Sequence, residues 1–253
     1  MNRPIALVTG GAKRIGAALC RALVRQGWFV VIHYRSSASE AAALARELAP
    51  HAAATPADLS APLDVDRLID AARAAAGGPI ALLVNCASLF EPDDIATMTR
   101  ASFAAHMETN LWAPLKLSQD FARQAPKDGQ IVNLLDQRLF HPTPEYLSYA
   151  TSKAALHALT TMLAQALGPQ GIRVNAIAPG PTLANARQTE AEFAAEGAAT
   201  VLGRGASPDD IAGALLYIAA ARAVTGETIS VDGGQRLRWR HEAAHQKVPG
   251  AAE

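Results

Sequence analysis

The sequence is poor in cysteine and carries no net charge. Cys20 and Cys86 are the only cysteines among 253 residues, and both lie in apolar surroundings. We expect them to be buried free thiols in a reducing compartment, with a single disulfide as the alternative. Lysine plus arginine and aspartate plus glutamate number 23 each, so the composition indicates no long-range attraction to nucleic acid or to an anionic membrane.

Long apolar runs are also missing. No run approaches the roughly 20 residues that cross a bilayer, and the apolar residues 5–8 are too few for the core of a signal peptide. Half of the residues are hydrophobic and 18% are charged, so the chain can bury a core that needs no metal to hold it together. The sequence therefore favours a cytoplasmic globular protein and predicts no metal site.

Short apolar segments alternate with longer segments of helical spacing. This alternation indicates βαβ units, and strands that are apolar throughout are typical of a parallel sheet covered on both faces. Residues 1–240 are therefore predicted to form a single doubly wound α/β domain of the Rossmann type, with about seven parallel strands. The predicted strands are residues 5–9, 29–33, 52–55, 80–85, 130–135, 173–178 and 228–231. The predicted helices are residues 15–26, 39–48, 65–76, 102–123, 145–167 and 208–221.

Two segments lie outside this pattern. Residues 241–253 lack apolar periodicity and are predicted to be a flexible C-terminal tail. Residues 181–201 follow the end of a predicted strand and contain Pro181, Gly197 and a polar segment of helical spacing. Such a segment can form a lid over the carboxyl edge of the sheet, where doubly wound domains bind ligands.

A glycine-rich turn follows the first predicted strand, in the sequence Thr9-Gly-Gly-Ala-Lys-Arg-Ile-Gly16. Backbone N–H groups at the start of the next helix can bind a pyrophosphate if the turn is tight. Gly10 allows the turn, and Gly16 allows the helix to pack closely on the strand. Arg14, which precedes Ile15, replaces the usual middle glycine. The turn indicates dinucleotide binding, with an ordinary strand–helix turn as the alternative.

The end of the second predicted strand bears on the type of dinucleotide. NAD enzymes often place an acidic residue here to bind the ribose 2′-hydroxyl, but the first acid in this stretch is Glu40. Basic and hydroxyl side chains suit a 2′-phosphate, so the stretch favours NADP(H), with a solvated basic strand end as the alternative. Asp58 and Leu59 follow the third strand, where the adenine would lie, although Asp58 could be only a helix cap. The predicted 2′-phosphate site comprises Arg14, Arg35, Ser36 and Ser37, and Tyr34 in the same stretch is also predicted to bind the cofactor.

Tyr149 and Lys153 are the central catalytic candidates. Residues four apart share one face of a helix, and a lysine ammonium beside a phenol favours the phenolate. We therefore expect Lys153 to lower the pKa of Tyr149 from about 10 towards neutrality, so that Tyr149 can give a proton to a substrate being reduced. A surface pair is the alternative. Tyr146 is nearby but has Ala150, not a lysine, four residues later.

The surroundings of this pair carry a family resemblance. Predicted strands end at Asn85, Asp136 and Pro179, and their carboxyl ends meet at the ligand crevice of a doubly wound sheet. With these features the chain resembles the short-chain dehydrogenase/reductases along nearly its whole length, up to about residue 240. The motifs that carry the resemblance are Thr9-Gly10, Asn85-x-Ala87, Asn110, Tyr149 with Lys153, Pro179-Gly180 and Val231-Asp232-Gly233-Gly234.

The resemblance implies roles for these residues. Tyr149 would be the proton donor, Lys153 would bind the nicotinamide ribose and tune Tyr149, and Asn110 would hold a water in a proton relay. It also implies a homotetramer, built through residues 102–123, residues 145–167 and the C-terminal strand. The residues that would line the cofactor are Asn85, Ala87, Pro179 and Gly180.

Two departures point to a subgroup. Most short-chain dehydrogenase/reductases carry serine at the position of Asp136 and a third glycine at the position of Arg14. The pteridine reductases share both departures, and the bacterial dihydromonapterin reductases are a neighbouring group. The resemblance to the pteridine reductases implies that Phe90 would stack on the pterin and that Ser88 and Arg14 would contact the pterin or the cofactor phosphates. It also implies that Asp136 with Tyr149 would pass protons to the ring nitrogens. The chain is similar to them at residues 12–16, 33–34, 37, 40, 85, 87–88, 90, 136, 149 and 153.

The residues themselves fit this chemistry. Reduction of a C=N bond needs a hydride on carbon and a proton on nitrogen, and a carboxyl beside the tyrosine gives a second relay site for that proton. Phe90 offers an apolar face to a flat heterocycle. The alternatives are a core or lid aromatic for Phe90 and a cap of the following loop for Asp136. Arg138 and His141 are assigned no role beyond a solvated loop.

Three functions remain open from the sequence. The first is NADPH-dependent reduction of dihydropterin or dihydrofolate-like substrates. The second is a general carbonyl reductase, acting for example on a 3-oxoacyl group or a sugar ketone, against which Arg14 and Asp136 argue. The third is a catalytically silent NADP-binding regulator, against which the intact Asn110, Tyr149 and Lys153 argue.

Overall fold

The computed structural model describes residues 3–185 and 187–238. The strands are β1 (Ile5–Val8), β2 (Phe29–Tyr34), β3 (Ala52–Pro56), β4 (Ile80–Asn85), β5 (Gln130–Leu134), β6 (Arg173–Pro179) and β7 (Thr228–Val231). The α-helices are α1 (Arg14–Arg25), α2 (Ala38–Glu47), α3 (Pro62–Ala76), α4 (Arg100–Met107), α5 (Ala113–Gln124), α6 (Leu147–Leu167), α7 (Glu190–Ala198) and α8 (Pro208–Ala220).

These strands form one parallel sheet in the order β3-β2-β1-β4-β5-β6-β7. The chain winds outward from β1 to β3 and then crosses back to β4, so the direction of winding reverses between β1 and β4. Ligands bind doubly wound sheets beyond the carboxyl ends of the strands at this reversal. The predicted doubly wound α/β fold is confirmed. The predicted tail at residues 241–253 lies outside the described residues and stays a prediction.

The strand side chains alternate between two apolar layers. Ala6 and Val8 of β1 belong to the layer that contains residues of α1, α2 and α8, whereas Ile5 and Leu7 belong to the layer of α3, α5 and α6. Both faces of the sheet are thereby covered, which explains why the strands are apolar at nearly every position. None of the helices in the described part of the chain has the length and apolar character that a membrane crossing requires.

The helix predicted at residues 102–123 is interrupted. A π-helical turn at Glu108–Trp112 separates α4 from α5. Pro114 lacks an N–H group, so it cannot donate the α-helical hydrogen bond to the carbonyl of Asn110, four residues earlier. The interruption places the Asn110 side chain, which is fully buried, against the loop that follows β4.

Candidate functional site

A cavity of about 480 Å³ opens along the carboxyl ends of the strands around the reversal point. It brings together most of the residues predicted to bind the cofactor and three of the four predicted catalytic residues, Asp136, Tyr149 and Lys153. The predicted site residues in its lining are Gly10, Arg14, Ile15, Gly16, Tyr34, Arg35, Ser36, Ser37, Asp58, Leu59, Ala87, Ser88, Asp136, Tyr149, Lys153, Pro179 and Gly180.

Asn85 does not reach this cavity. Its side chain donates to the Oδ1 atom of Asn133 at 2.9 Å inside the sheet, and only 2% of the residue is exposed. The side chain of this last residue of β4 thus bonds inside the sheet, and the predicted place of Asn85 beside the cofactor stays a prediction. Thr9, to which the sequence assigned no role beyond its motif, shapes the loop after β4. Its Oγ1 atom accepts from the N–H groups of Cys86 and Ala87, each at 3.0 Å.

The turn between β1 and α1 is packed so tightly that it requires glycine. Gly10 has φ +64°, and a Cβ atom there would lie 2.9 Å from Cα of Ala87. A Cβ atom at Gly16 would lie 2.2 Å from the carbonyl oxygen of Gly10. The N-terminus of α1 therefore meets the cavity as bare backbone, which is the arrangement that binds phosphate groups.

His33 holds the turn between β1 and α1 in place, a role that the sequence did not reveal. Its Nδ1 atom accepts from the N–H of Gly10 at 3.0 Å, so its Nε2 atom carries the proton and donates to the carbonyl of Ala57 at 3.0 Å. The residue is 2% exposed, and burial lowers the pKa of the imidazole to about 4. A neutral imidazole thus ties the β1–α1 turn to the end of β3.

The neutral state of His33 predicts a loss of stability in weak acid. The unfolded imidazole titrates near 6.5 and the folded one near 4, so the unfolded chain binds more protons between these values. The free energy of unfolding should fall by about 3 kcal/mol as the pH drops from 6.5 to 4, beyond what the carboxylates contribute. Urea unfolding of the wild type and of His33→Asn at several pH values measures this. Equal pH dependence in the two proteins in this window would contradict it.

Arg14 connects the phosphate turn to the segment at residues 181–185. It adopts φ +53°, and its guanidinium donates to the carbonyls of Leu183 at 3.1 Å and Ala184 at 2.9 Å. The contacts of Arg14 with a pterin or a cofactor phosphate, expected from the sequence, stay a prediction. In this structure the two donors hold the lid segment over the cavity.

The outer end of the cavity is basic and rich in hydroxyls. Arg35, Ser36 and Ser37 line it. The charge of the nearby Glu40 is compensated, because its carboxylate lies 2.6 Å from Nζ of Lys13. That contact lowers the pKa of Glu40 to about 2. Asp58 lines the facing wall and also accepts from the N–H and the hydroxyl of Ser60, so the alternative of a local cap applies to it as well.

Protein groups fill the hydrogen-bonding positions of the Asn110 side chain. Its Oδ1 atom accepts from the N–H of Leu89 at 2.7 Å and from the hydroxyl of Ser88 at 3.2 Å. Its Nδ2 atom donates to the carbonyl of Leu89 at 2.9 Å and to the hydroxyl of Ser152 at 3.0 Å. The side chain thus locks the loop after β4 onto α6 and has no position left for a water.

Tyr149 points at Asp136, not at Lys153. The phenol donates to Oδ2 of Asp136 at 2.9 Å, whereas Nζ of Lys153 donates to the carbonyl of Leu134 at 2.7 Å and lies 5.8 Å from the centre of the Tyr149 ring. The other carboxylate oxygen of Asp136 accepts from the N–H of Arg138 at 2.8 Å, so Asp136 also caps the loop that follows β5. The three predicted catalytic side chains therefore meet, but the carboxylate is the direct partner of the phenol.

The protonation state of Tyr149 differs from the expectation. Burial, and then the adjacent carboxylate of Asp136, raise the pKa of Tyr149 well above its usual value. Burial also lowers the pKa of Lys153 to about 8. The expected lowering of the Tyr149 pKa by Lys153 is thus wrong for this structure, because the ammonium faces a carbonyl and the phenol faces a negative charge. The phenol is neutral, as a proton donor must be.

An aromatic cluster borders the catalytic residues. The rings of Phe90 and Tyr146 are stacked, with centres 4.5 Å apart and planes at 6°, and Phe90 meets Tyr149 edge to face at 4.6 Å. The guanidinium of Arg138 lies 5.7 Å from the centre of Phe90 and 5.1 Å from that of Tyr146. One face of Phe90 is therefore covered. The sequence assigned no role to Tyr146 and placed Arg138 in a solvated loop, whereas the structure packs Arg138 against these rings and beside Asp136.

A second cavity of about 190 Å³ adjoins the first. The two share Arg14, Asp136, Tyr149, Pro179 and Gly180 in their linings, and Phe90 lines only the second. A dinucleotide-sized groove and a smaller pocket thus meet at the phenol of Tyr149. The described residues include no cluster of His, Cys, Asp or Glu with the arrangement of a metal site.

Known proteins share this fold and much of this sequence. A family model described as enoyl-(acyl carrier protein) reductase matches residues 10–236. An uncharacterized oxidoreductase of Methylorubrum extorquens is 33% identical over 92% of this chain and 97% of its own length. The 3β-hydroxysteroid dehydrogenase 1 of Eggerthella lenta is 36% identical over 91% of this chain and 93% of its own length.

A solved structure is similar over nearly the whole chain. FolM alternative dihydrofolate reductase 1 from Brucella canis, complexed with NADP, is 38% identical with a TM-score of 0.92, and the match covers 96% of this chain and 98% of that one. The family resemblance that the sequence motifs indicated is confirmed by these matches. The chain belongs to the short-chain dehydrogenase/reductase family of oxidoreductases and is an enzyme.

Proposed function

We propose that the enzyme reduces the C=N bond of dihydropterin or dihydrofolate-like substrates with NADPH. The observation that carries the proposal is the 2.9 Å hydrogen bond between Tyr149 and Asp136 in a pocket bordered by Phe90. A ketone needs one proton donor at its oxygen, whereas a ring nitrogen gains from a second acid–base group beside the phenol. The similarity to an alternative dihydrofolate reductase at 38% identity supports the same conclusion.

The larger cavity fits NADP(H). The bare turn at Gly10 and Gly16 suits the pyrophosphate. Arg35, Ser36 and Ser37 suit the 2′-phosphate, since the nearby Glu40 is paired with Lys13. When bound, NADPH supplies the hydride. Pro179 and Gly180 lie where the two cavities join, so they would border the nicotinamide end of the groove.

Tyr149 supplies the proton in this proposal. Its raised pKa keeps the phenol neutral at working pH, so a proton is in place when the ring nitrogen becomes basic. Asp136, already bonded to the phenol oxygen, can exchange a proton with it. Lys153 is held by the carbonyl of Leu134 and lies behind the phenol, so its charge would offset the phenolate that forms.

The relay water assigned to Asn110 would be held by its backbone. The side chain has no free position, whereas the proline at residue 114 deprives the Asn110 carbonyl of its α-helical donor. We therefore assign the water to the carbonyl and a positioning role to the amide.

Phe90 would hold the flat substrate ring. Its stacking on Tyr146 covers one face, so the substrate ring would lie on the side away from Tyr146. Arg14 lines both cavities and Ser88 lines the larger one, which supports the proposed contacts of these residues with the pterin or the phosphates.

The assembly and compartment are also proposals. Trp112 is 48% exposed beside α5, and Met162 on α6 is 61% exposed, as apolar residues in an interface between copies would be. They support the homotetramer built through α4, α5, α6 and β7. Both cysteines are free thiols, which supports a reducing compartment such as the cytoplasm.

NADPH oxidation with a panel of dihydropterins, dihydrofolate and simple ketones tests the proposed function. We expect turnover of at least one dihydropterin, with kcat/KM for NADPH at least roughly tenfold above that for NADH. Turnover of ketones alone would favour the general carbonyl reductase, a candidate supported by the 36% identity to a hydroxysteroid dehydrogenase. Cofactor binding without turnover of any substrate would favour the silent regulator.

A further inference from the structure

A cluster of three polar residues lines the smaller cavity, and two of them belong to the segment predicted to form the lid. Glu196 of α7 accepts from the amide of Gln188 at 2.9 Å and from the amide of Gln235 at 3.2 Å, one bond to each carboxylate oxygen. All three residues are half-buried and line the cavity that contains Tyr149 and Asp136. Glu196 is therefore fixed in orientation, not solvated as a surface glutamate would be.

The backbone of α7 holds this cluster in place. Gln188 directly precedes the N-cap residue Thr189, whose hydroxyl accepts from the N–H of Glu192 at 3.2 Å, while the Glu192 carboxylate accepts from the N–H of Thr189 at 2.8 Å. This capping box fixes the first turn of the helix, and Glu196 lies one turn beyond it. Gln235 approaches from the segment after β7, so the cluster joins the lid to the C-terminal part of the fold.

The cluster offers acceptors and negative charge. Within the described residues Glu196 forms no ion pair, since Arg14 donates to lid carbonyls and Arg138 lies beside Asp136. The Oε1 atoms of Gln235 and Gln137 are buried without a hydrogen-bond partner, and Gln137 is only 8% exposed. Both oxygens are closed to solvent, so the acceptors that the cluster offers to a ligand are the carboxylate oxygens of Glu196.

We propose that Glu196 sets the side-chain specificity of the enzyme, favouring a dihydropterin with a neutral, hydroxyl-bearing substituent over one that carries carboxylates. The inference rests on the proposed function. Tyr149 and Glu196 line the same cavity of about 190 Å³, so a substrate ring held against Tyr149 would place its substituent in the space that Glu196 borders. Hydroxyl groups can donate to the Glu196 carboxylate, whereas a carboxylate on the substrate is repelled by it in a site that is partly shielded from water.

The test compares two substrates in three proteins. The substrates are a 7,8-dihydropterin with a trihydroxypropyl chain at C6 and 7,8-dihydrofolate, whose tail is anionic. The proteins are the wild type, Glu196→Gln, which keeps the shape and removes the charge, and Glu190→Gln, which removes an exposed charge from the same helix. We expect the wild type to prefer the hydroxylated substrate in kcat/KM by at least roughly tenfold. In Glu196→Gln the preference should fall by roughly tenfold, and in Glu190→Gln it should stay within about twofold.

Inhibition of the wild type gives a second measurement that needs no variant. Neutral 6-hydroxymethylpterin should inhibit more strongly than pterin-6-carboxylate, and the difference should shrink with added salt. Equal inhibition, or an unchanged substrate ratio in Glu196→Gln, overturns the role of Glu196 while leaving pterin reduction intact. Turnover of ketones with no turnover of either pterin substrate overturns the proposed function, and this inference with it.

Discussion

Replacing Tyr149 with phenylalanine should lower kcat by roughly a thousandfold and leave NADPH binding nearly intact, because the variant loses only the proton donor. Tyr149 is 5% exposed, and its ring meets Phe90 edge to face, a contact that phenylalanine retains. The measurements are steady-state NADPH oxidation with a dihydropterin and a fluorescence titration with NADPH alone.

Tyr146→Phe is the matched control for this experiment. This substitution removes a phenol hydroxyl from the same aromatic cluster, three residues before Tyr149, and keeps the stacking of the ring on Phe90. We therefore expect kcat to change by less than about threefold. A similar loss in both variants would show that the effect comes from the aromatic cluster and not from proton transfer. Loss of NADPH binding in Tyr149→Phe would show that the assigned role of Tyr149 is wrong.

Replacing Asp136 with asparagine should reduce pterin turnover by roughly a hundredfold. The amide can still accept from the N–H of Arg138 and so preserve the loop, but it cannot take up a proton from Tyr149. The carboxylate also raises the pKa of Tyr149, so its removal should lower that pKa. Reduction needs the neutral phenol, and the alkaline limb of the pH profile should therefore move to lower pH in the variant.

The pH profile separates this role of Asp136 from a structural one. Misfolding of the loop would lower the rate at every pH without moving the limb, whereas loss of the carboxylate moves it. Turnover of the pterin at the wild-type rate in Asp136→Asn would contradict the role of Asp136 as a second acid–base group.

The sequence predicted the sheet well because both of its faces are covered. Strands such as β1 and β4 are apolar throughout and are bounded by glycine, proline or polar residues, so their positions needed no knowledge of the partners. The interruption between α4 and α5 was missed, although Pro114 was visible. A proline in the first turn of a helix is ordinary, and only the structure shows that a π-helical turn precedes it.

The site was predicted in outline, since parallel strand ends must share one edge. Its contacts were not, because they join residues that are distant in sequence. The bonds from Arg14 to the lid span about 170 positions, and no local pattern encodes them. The partner of Tyr149 was also misjudged. Spacing on a helix identifies Lys153 as a neighbour, but the direction of the ammonium depends on the carbonyl of Leu134 in another element.

The two hydrogen bonds of His33 bear on the entropy of cofactor binding. A single buried imidazole joins the turn after β1 to the end of β3, the two places where the pyrophosphate and the adenine would meet the protein. Their relative position is therefore set during folding, and a dinucleotide does not have to order two independent loops when it binds. Preorganisation of this kind raises affinity without adding a contact to the ligand. Part of the affinity for the cofactor would thus reside in a side chain whose two ring nitrogens bond only to the protein.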